Sequence, residues 1–394
     1  MRICFWGKIA DALNGRTGGG GELQIALIAK TLAGLGHEIV VVDLDIIDEY
    51  TTLDGIRVCP VKGYNKGIKG LRTFTHRLPG LYSTFVNINA DIYYCRIREY
   101  RHIIVYMAAR KVKAKFVLGL ASDLDILSIR KRWKHFYSSN VRDLWGVFNG
   151  LAGELVYPYM LKNADGVFVQ HMGQKELLKK KNIDSVVLPN VIDTVSFTNG
   201  SDSAKTDFVY VGSLDKRKGF ADFYRVVKGT AGHSFKVIGS PRDKIGNHYF
   251  EKLKLCKNVK LTGRLSHDET LRQISGSRAL ISTSPMEGFP NVFIEAWAVG
   301  VPVLSLYVDP GNVIENEELG FNAHGNIKLL IEAMDNIVLN NKFSDRAKEY
   351  VRRNHELNID RKKEIGRLVT LIYERKSSGG KIDACEHQDL LMQM

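Results

Sequence analysis

The chain of 394 residues is too long for one ordinary hydrophobic core, so its length predicts two domains. Its 44% hydrophobic and 25% charged residues are typical of a soluble globular protein, and no apolar run approaches the roughly 20 residues of a membrane span. Because the first residues enter a strand without the apolar stretch of a signal peptide, we expect a cytoplasmic protein. The five cysteines are scattered and lack the close pairs of zinc or redox motifs.

The positive charge lies mainly in the first half of the chain. Residues 1–190 hold 27 Lys and Arg against 17 Asp and Glu, an excess of +10, whereas the remainder holds 29 against 26. Such a surface attracts an anionic partner, either a membrane surface or an acidic substrate. Basic and aromatic residues are mixed at 62–77 and 130–134, which indicates an interfacial surface; an ordinary solvated surface is the alternative. Because no nucleic-acid-binding motif is present, we expect no nucleic-acid partner.

The first half reads as parallel strands joined by helices. The patterns predict strands at 3–6, 38–42, 91–95, 116–120 and 164–170, and helices at 25–35, 103–109 and 174–181. The glycines at 18–21 stand a dozen residues after the first strand, whereas a dinucleotide fingerprint follows its strand at once. The spacing therefore disfavours a nicotinamide or flavin site.

Polar residues follow the strand at 116–120, where open α/β sheets place their ligands. They include Ser122, Asp123 and Asp125. Asp123 and Asp125 also have the spacing of a metal-binding DxD pair, which stays open as an alternative, although such pairs are common by chance. We expect no metal site here.

The second half begins after an extended turn at 186–193 and a polar connection at 199–206. Strands are predicted at 208–212, 235–238, 259–262 and 279–282, and helices from 220 and at 328–339, 344–354 and 359–376. We place the domains at 1–190 and 191–354, and we expect a disordered tail at 377–394.

Two loops of the second half have the residues of a nucleotide-sugar site. Arg217 and Lys218 precede a helix, where cations can hold a diphosphate. Glu287 lies in a Gly/Pro loop, and Glu295 follows about one turn into the helix that this loop opens. The loop directs backbone N–H groups and a positive helix end at one point, which suits a phosphate, and Glu295 can accept both hydroxyls of a vicinal diol. The loop residues in question are Gly288, Phe289, Pro290 and Asn291.

The string EGFPNVFIEAWAVGVPV from residue 287, the GGGE at 19–22 and the VLPNVID at 187–193 resemble the retaining family-4 glycosyltransferases, or glycosyl transferases group 1, of the GT-B fold. This resemblance implies an α/β fold in which two Rossmann-like domains face each other across a cleft, with a helix at 355–376 crossing back to the first. It also implies transfer of a sugar from a UDP- or GDP-linked donor, without a cofactor or metal, to a hydroxyl of a glycan or lipid-linked acceptor. Cell-surface polysaccharide or glycolipid synthesis at the inner membrane face would be the context.

The resemblance also assigns roles to individual residues. In the family the second glutamate of the pair binds the ribose and the first contacts the donor sugar, which implies these roles for Glu295 and Glu287. The other donor-binding positions that it implies are Gly20, Gly21, Ser213, Arg217, Lys218, Gly263, Arg264, Gly288, Phe289, Pro290 and Asn291.

This chain departs from the family pattern at two positions. Ser213 stands where the family has an arginine, so we expect Arg217 to substitute for it beside Lys218. Ser122 and Asp123 stand where many relatives have a histidine that touches the donor sugar. We therefore expect catalytic roles for Glu287, Lys218, Arg217 and Asp123. An epimerase of nucleotide sugars, which shares the fold, and a non-catalytic paralogue that binds a partner remain the alternatives.

Overall fold

The computed structural model describes residues 1–15, 19–68, 71–127, 144–194, 206–230, 232–337 and 341–375. The predicted basic cluster at 130–134, most of the connection at 199–206 and the tail at 377–394 lie outside these ranges. The described residues form two parallel sheets with helices on both faces, which confirms the prediction of an α/β fold built on two sheets.

The first sheet has eight strands in the order β3-β4-β2-β1-β5-β6-β7-β8, and only β3 runs antiparallel to its neighbour. Its strands are β1 (Arg2–Trp6), β2 (Glu38–Asp43), β3 (Tyr50–Thr51), β4 (Arg57–Pro60), β5 (Ile92–Arg96), β6 (Lys115–Gly119), β7 (Gly166–Val169) and β8 (Val186–Val187). Its helices are α1 (Ala10–Leu13), α2 (Gly20–Gly34), α3 (Leu78–Ile88), α4 (His102–Lys111), α5 (Leu144–Asn163) and α6 (Met172–Lys179).

The second sheet has six strands in the order β11-β10-β9-β12-β13-β14. Its strands are β9 (Thr206–Val211), β10 (Phe235–Ile238), β11 (Val259–Gly263), β12 (Ser277–Ser282), β13 (Val303–Ser305) and β14 (Gly320–Asn322). The helices that follow in the chain are α7 (Phe220–Gly229), α8 (Lys244–Lys254), α9 (His267–Ser275), α10 (Asn291–Ala298), α11 (Val313–Asn316), α12 (Ile327–Asn336), α13 (Asn341–Asn354) and α14 (Ile359–Glu374).

The last helix, α14, packs on the first sheet rather than on the second. Ile365, Val369 and Ile372 are buried in the same apolar cluster as residues of α2 and β1. A Cβ atom on Gly366 would lie 2.7 Å from Leu35 Cδ1, so the two helices pack at close range. The chain thus crosses between the sheets twice, and the crossings lie side by side: the N–H of Ile192 donates to the carbonyl of His355 at 2.8 Å.

The strand order places a crevice at each sheet. In the first sheet β1 has β2 on one side and β5 on the other, and in the second sheet β9 has β10 on one side and β12 on the other. Ligands of open α/β sheets bind at the carboxyl ends of strands where the order reverses in this way. The carboxyl ends of these strands carry the loops described below.

The predicted strands and helices are present, with ends shifted by a few residues, but six of the helices were not predicted: α1, α3, α5, α8, α9 and α11. The helix α5 contains Pro158 and several glycines, which are unfavourable inside a helix, so no helix was predicted there. The helices α8 and α9 are short and polar, and each is stabilised by a side-chain cap: Asp243 accepts from the N–H of Gly246, and Ser266 accepts from that of Glu269.

Candidate functional site

The loop that opens α10 lies against the first sheet's loops. The N–H of Phe289 donates to Gln170 Oε1 at 3.2 Å, and a Cβ atom on Gly288 would lie 1.8 Å from the same oxygen. Only glycine therefore allows this approach. Pro290 has no N–H, so within 288–291 the N–H groups without a partner in the described part of the chain belong to Gly288 and Asn291. The expectation that the whole loop offers N–H groups to a phosphate is corrected to these two.

Glu295 lies on α10 and is almost fully buried. Its Oε1 is 3.8 Å from Nδ1 of His267, the first residue of α9. Burial raises the pKa of the Glu295 carboxyl, and the nearby His267 ring offsets part of that effect. Glu295 lines a cavity of about 130 Å³ together with Gln24, Val191 and Asn291, so residues of both halves of the chain meet there.

Lys218 and Glu287 form an ion pair, with 2.5 Å between Lys218 Nζ and Glu287 Oε1. The lysine is supplied by the loop after β9, whose turn ends at Gly219 with φ of 64°. A Cβ atom at Gly219 would overlap the carbonyl of Thr283, 1.9 Å away, so this turn also requires glycine. The two loops therefore bring one cation and one carboxylate to the same point.

Arg217 does not share that point in this structure. Its side chain is 60% exposed and pairs with Asp215, whose Oδ2 also accepts from Ser213 Oγ at 2.9 Å. Burial by itself raises the pKa of Asp215, but the hydrogen bonds from Arg217, Ser213 and the N–H of Lys218 outweigh it and lower the pKa. Asp215 thus stays ionised and neutralises Arg217.

Asp123 reaches the loop that opens α10 from the first sheet. Its N–H donates to the carbonyl of Glu287 at 3.3 Å, and its Oδ1 accepts from His171 Nε2 at 3.2 Å and from Gln174 Nε2 at 2.8 Å. Because an ionised carboxylate only accepts, we assign the ring proton to Nε2. Asp123 is therefore fixed in orientation beside Glu287.

Asp125 has a different, local function. Its Oδ2 accepts from the N–H groups of Ala121 and Ser122, at 2.9 and 3.1 Å, and so closes the turn that follows β6. Across the described ranges, no group of three or more His, Cys, Asp or Glu side chains is arranged to hold a metal ion.

Gly20, Gly21, Gly263 and Arg264 lie at the rim of the same region. Gly20 is the first residue of α2, and its carbonyl accepts from Asn291 Nδ2 at 2.9 Å. Gly21 is in close contact with Ile97. Gly263 ends β11 with φ of 74°, and the exposed Arg264 begins the short loop that leads to His267.

Sequence reasoning missed several polar residues of this region. They are Gln24, Arg96, Gln170, His171, Gln174 and His267. The available signal was position: Arg96 ends β5 and Gln170 follows β7 directly, and the carboxyl ends of parallel strands meet at one edge of a sheet.

Comparison with solved structures defines the fold class. Sucrose-phosphate synthase from Thermosynechococcus elongatus superposes with a TM-score of 0.76 at 16% identity, covering 94% of this chain and 99% of that one. HepE from Anabaena, solved in complex with UDP, gives 0.66 at 15% identity over 94% and 100% of the chains. WaaG, a glycosyltransferase involved in lipopolysaccharide biosynthesis, gives 0.66 at 14% identity over 96% and 100%. The chain has the GT-B fold, as the resemblance implied.

Sequence comparison finds a family match in the second half of the chain. Residues 191–354 match the family described as Glycosyl transferases group 1. An uncharacterized glycosyltransferase from Methanocaldococcus jannaschii is 27% identical over 173 residues. The match covers 38% of this chain and 42% of that protein, so the chain spans less than half the length of this curated relative.

Glu295→Gln should raise the free energy of unfolding at about pH 7 in the absence of ligand. The folded protein holds the pKa of Glu295 above its ordinary value of 4.5, so ionisation of the carboxyl costs stability as the pH rises through the folded pKa. The gain should disappear below about pH 4.5, where the carboxyl is protonated in both states. Urea unfolding across this pH range measures it, with the exposed Glu332→Gln as the control. An equal gain in the free energy of unfolding at all pH values would contradict a raised pKa of Glu295 in the folded protein.

Proposed function

We propose that this protein is a glycosyltransferase that moves a sugar from a nucleotide diphosphate donor to a hydroxyl of an acceptor. The observation that carries the proposal is the ion pair of Lys218 with Glu287, together with the backbone hydrogen bond that joins Glu287 to Asp123 from the first sheet. The match of residues 191–354 to the group 1 glycosyltransferases supports the same reaction class. We propose domains at 1–190, with the helix at 355–376, and at 191–354.

Glu295 is proposed to bind the ribose. A buried carboxylate that has few hydrogen bonds is costly in the empty protein, and two hydroxyl donors of a vicinal diol would satisfy it. Gly263 and Arg264 lie nearby, and their backbone is proposed to contact the base of the nucleotide. HepE is described as a complex with UDP, so UDP-linked donors are the first to test, followed by GDP-linked ones.

The diphosphate is proposed to bind between Lys218 and the N–H groups of Gly288 and Asn291, close to Gly20 and Gly21. As the donor breaks, negative charge develops on the leaving phosphate, and fixed cations and N–H groups stabilise it. Lys218 is paired with Glu287 in the absence of donor, so the diphosphate competes for this lysine. Arg217 is paired with Asp215, so it stabilises the diphosphate only if its side chain leaves that ion pair.

Glu287 and Asp123 are proposed to accept hydroxyls of the transferred sugar. The hydrogen bonds to the carboxylate of Asp123 end on Oδ1, so Oδ2 remains the acceptor for a substrate hydroxyl. We propose that the sugar is transferred with retention, by attack of the acceptor on the face that the phosphate leaves. The leaving phosphate then takes the proton of the acceptor hydroxyl. The acceptor is proposed to be a glycan or a lipid-linked acceptor in the synthesis of cell-surface polysaccharide or glycolipid.

Glu295→Ala should weaken binding of the bare nucleotide by about 1.5–3 kcal/mol, the range for hydrogen bonds to a charged group. Glu287→Ala should leave nucleotide affinity nearly unchanged and should lower turnover of the sugar nucleotide. Calorimetric titration and a donor-turnover assay with product analysis measure the two effects, with the exposed Glu251→Ala as the control. Unchanged nucleotide affinity in a folded Glu295→Ala variant would reject the ribose role. Conversion of the donor without any acceptor would indicate an epimerase, and binding without turnover would indicate a non-catalytic protein.

The transfer should survive treatment with EDTA, because Lys218 and backbone N–H groups are proposed to stabilise the diphosphate in place of a divalent ion. Activity before and after chelation, and after addition of manganese or magnesium, measures this. Loss of activity that either metal restores would move the assignment to Asp123 and Asp125 as metal ligands.

A membrane surface is proposed as a further partner of the first domain. Ile68, Leu71 and Phe74 are 74%, 60% and 60% exposed, at a spacing of three residues. Lys62 and Lys66 lie in the same basic segment. Apolar side chains that enter the headgroup region beside basic residues are typical of interfacial binding. In the described part of the chain, no helix is long and apolar enough to span a bilayer, so this contact would be peripheral.

Flotation with liposomes tests this surface. The protein should float with anionic liposomes at low salt and should be released by salt, because each Lys or Arg near the surface contributes about 1 kcal/mol. Leu71→Ser with Phe74→Ser, and separately Lys62→Gln with Lys66→Gln, should each weaken flotation and leave nucleotide affinity intact. The control is Leu255→Ser, which changes a leucine that is 84% exposed in the second domain. Equal flotation with neutral and anionic liposomes would rule out electrostatic binding.

A further inference from the structure

Arg96 is a buried cation for which the described residues provide no acidic partner. The residue is 5% exposed and ends β5, next to β1 at the crevice of the first sheet. Its Nη2 donates to Asn190 Oδ1 at 2.7 Å, while its Nε is buried without a hydrogen-bond partner. Among the residues that the structure describes, no carboxylate pairs with this guanidinium. An uncompensated buried charge is costly, so a cation in this position points to an anion that binds beside it.

The residue after Arg96 is strained. Ile97 has φ of 71°, which is a true outlier for a β-branched side chain. Such strain is found mainly where a functional site requires it. Ile97 also reaches α2: its Cδ1 is 2.9 Å from the position of a Cβ atom on Gly21. The end of β5 is therefore packed directly against the first turn of that helix.

Two helix N-termini meet at this place. Asn291, the first residue of α10, donates from Nδ2 to the carbonyl of Gly20, the first residue of α2. Arg96 is linked to this contact by one side chain, because Asn190 accepts from Arg96 and donates from Nδ2 to Asn291 Oδ1 at 2.8 Å. The positive ends of two helices and a buried guanidinium thus surround one small region.

We propose that Arg96 is a positioning residue for the donor diphosphate. It supplies positive charge from the first domain and acts through Asn190. This inference rests on the proposed function, since it takes the diphosphate to bind beside Gly288 and Asn291. The charge is fixed before the ligand arrives, so it costs no rearrangement when negative charge develops on the leaving phosphate.

The test compares UDP with UMP on three forms of the full chain: wild type, Arg96→Met and Arg96→Lys. Arg96→Met should weaken UDP binding by about tenfold or more, as expected for a unit charge across one amide group at an effective dielectric constant of about 20. UMP carries less negative charge, so its affinity should fall less. Arg96→Lys keeps the charge and should recover most of the preference for UDP. Calorimetric titration measures these affinities, and Arg225→Met, which removes an exposed arginine, is the control.

A second readout separates this role from a structural one. Removal of the buried charge offsets the loss of its hydrogen bond to Asn190, whose Oδ1 still accepts from Gln170, so the melting temperature of the nucleotide-free Arg96→Met protein should be nearly unchanged. A lower melting temperature together with equal losses for UDP and UMP would show a structural role and overturn the proposal. Unchanged UDP affinity, or an effect confined to the KM of the acceptor, would overturn it as well.

The outcome for Glu295 distinguishes the two proposals. If Glu295→Ala weakens nucleotide binding and Arg96→Met does not, the role of Arg96 is rejected and the proposed function stands. If the wild-type protein binds neither UDP, GDP nor ADP, both proposals fail.

Discussion

The site depends on the hydrogen bonds that the side-chain amide of Asn190 makes. Its Oδ1 accepts from Arg96 Nη2 at 2.7 Å and from Gln170 Nε2 at 3.0 Å. Its Nδ2 donates to the carbonyl of Phe289 at 2.7 Å and to Asn291 Oδ1 at 2.8 Å. These four hydrogen bonds use the full capacity of an amide group. Asn190 therefore joins the carboxyl ends of two strands of the first sheet to the loop that opens α10.

The hydrogen bonds around Asn190 determine how the two halves of the site face each other. Gln24 repeats the arrangement on the other side of the crossing, where it accepts from the N–H of Val191 at 2.8 Å and donates to its carbonyl at 2.7 Å. Except for the half-buried Asn291, these groups are buried, and a buried amide that loses its partners costs more than the bonds themselves contribute. A shift of one sheet relative to the other would leave several such groups unsatisfied at once. This explains how Asp123 and Glu287, 164 positions apart in the chain, stay in contact.

The sequence allowed the two sheets, their helices and the paired-glutamate loop to be predicted, because each has a local pattern. Apolar periodicity marks the strands, and the string around Glu287 and Glu295 carries the glycine, proline and carboxylates within a few turns of chain. The contact of Gln170 with the loop that opens α10 has no such pattern, since it joins residues 119 positions apart. It depends on which strands are neighbours, which the sheet order decides.

The two buried charges at the cleft, Glu295 and Arg96, show why such contacts were not predictable from residue type. Each would be an unfavourable choice in a core designed for stability alone, because each is buried with incomplete compensation in the described chain. The negative charge of Glu295 lies beside the cavity between α2 and α10, and the positive charge of Arg96 lies under the loop that opens α10. A nucleotide diphosphate has hydroxyl donors at its ribose and negative charge at its phosphates. Under the proposed function, the same ligand would relieve both costs at opposite ends, and the stability that the empty protein forgoes would be recovered as binding energy and as specificity for this class of ligand.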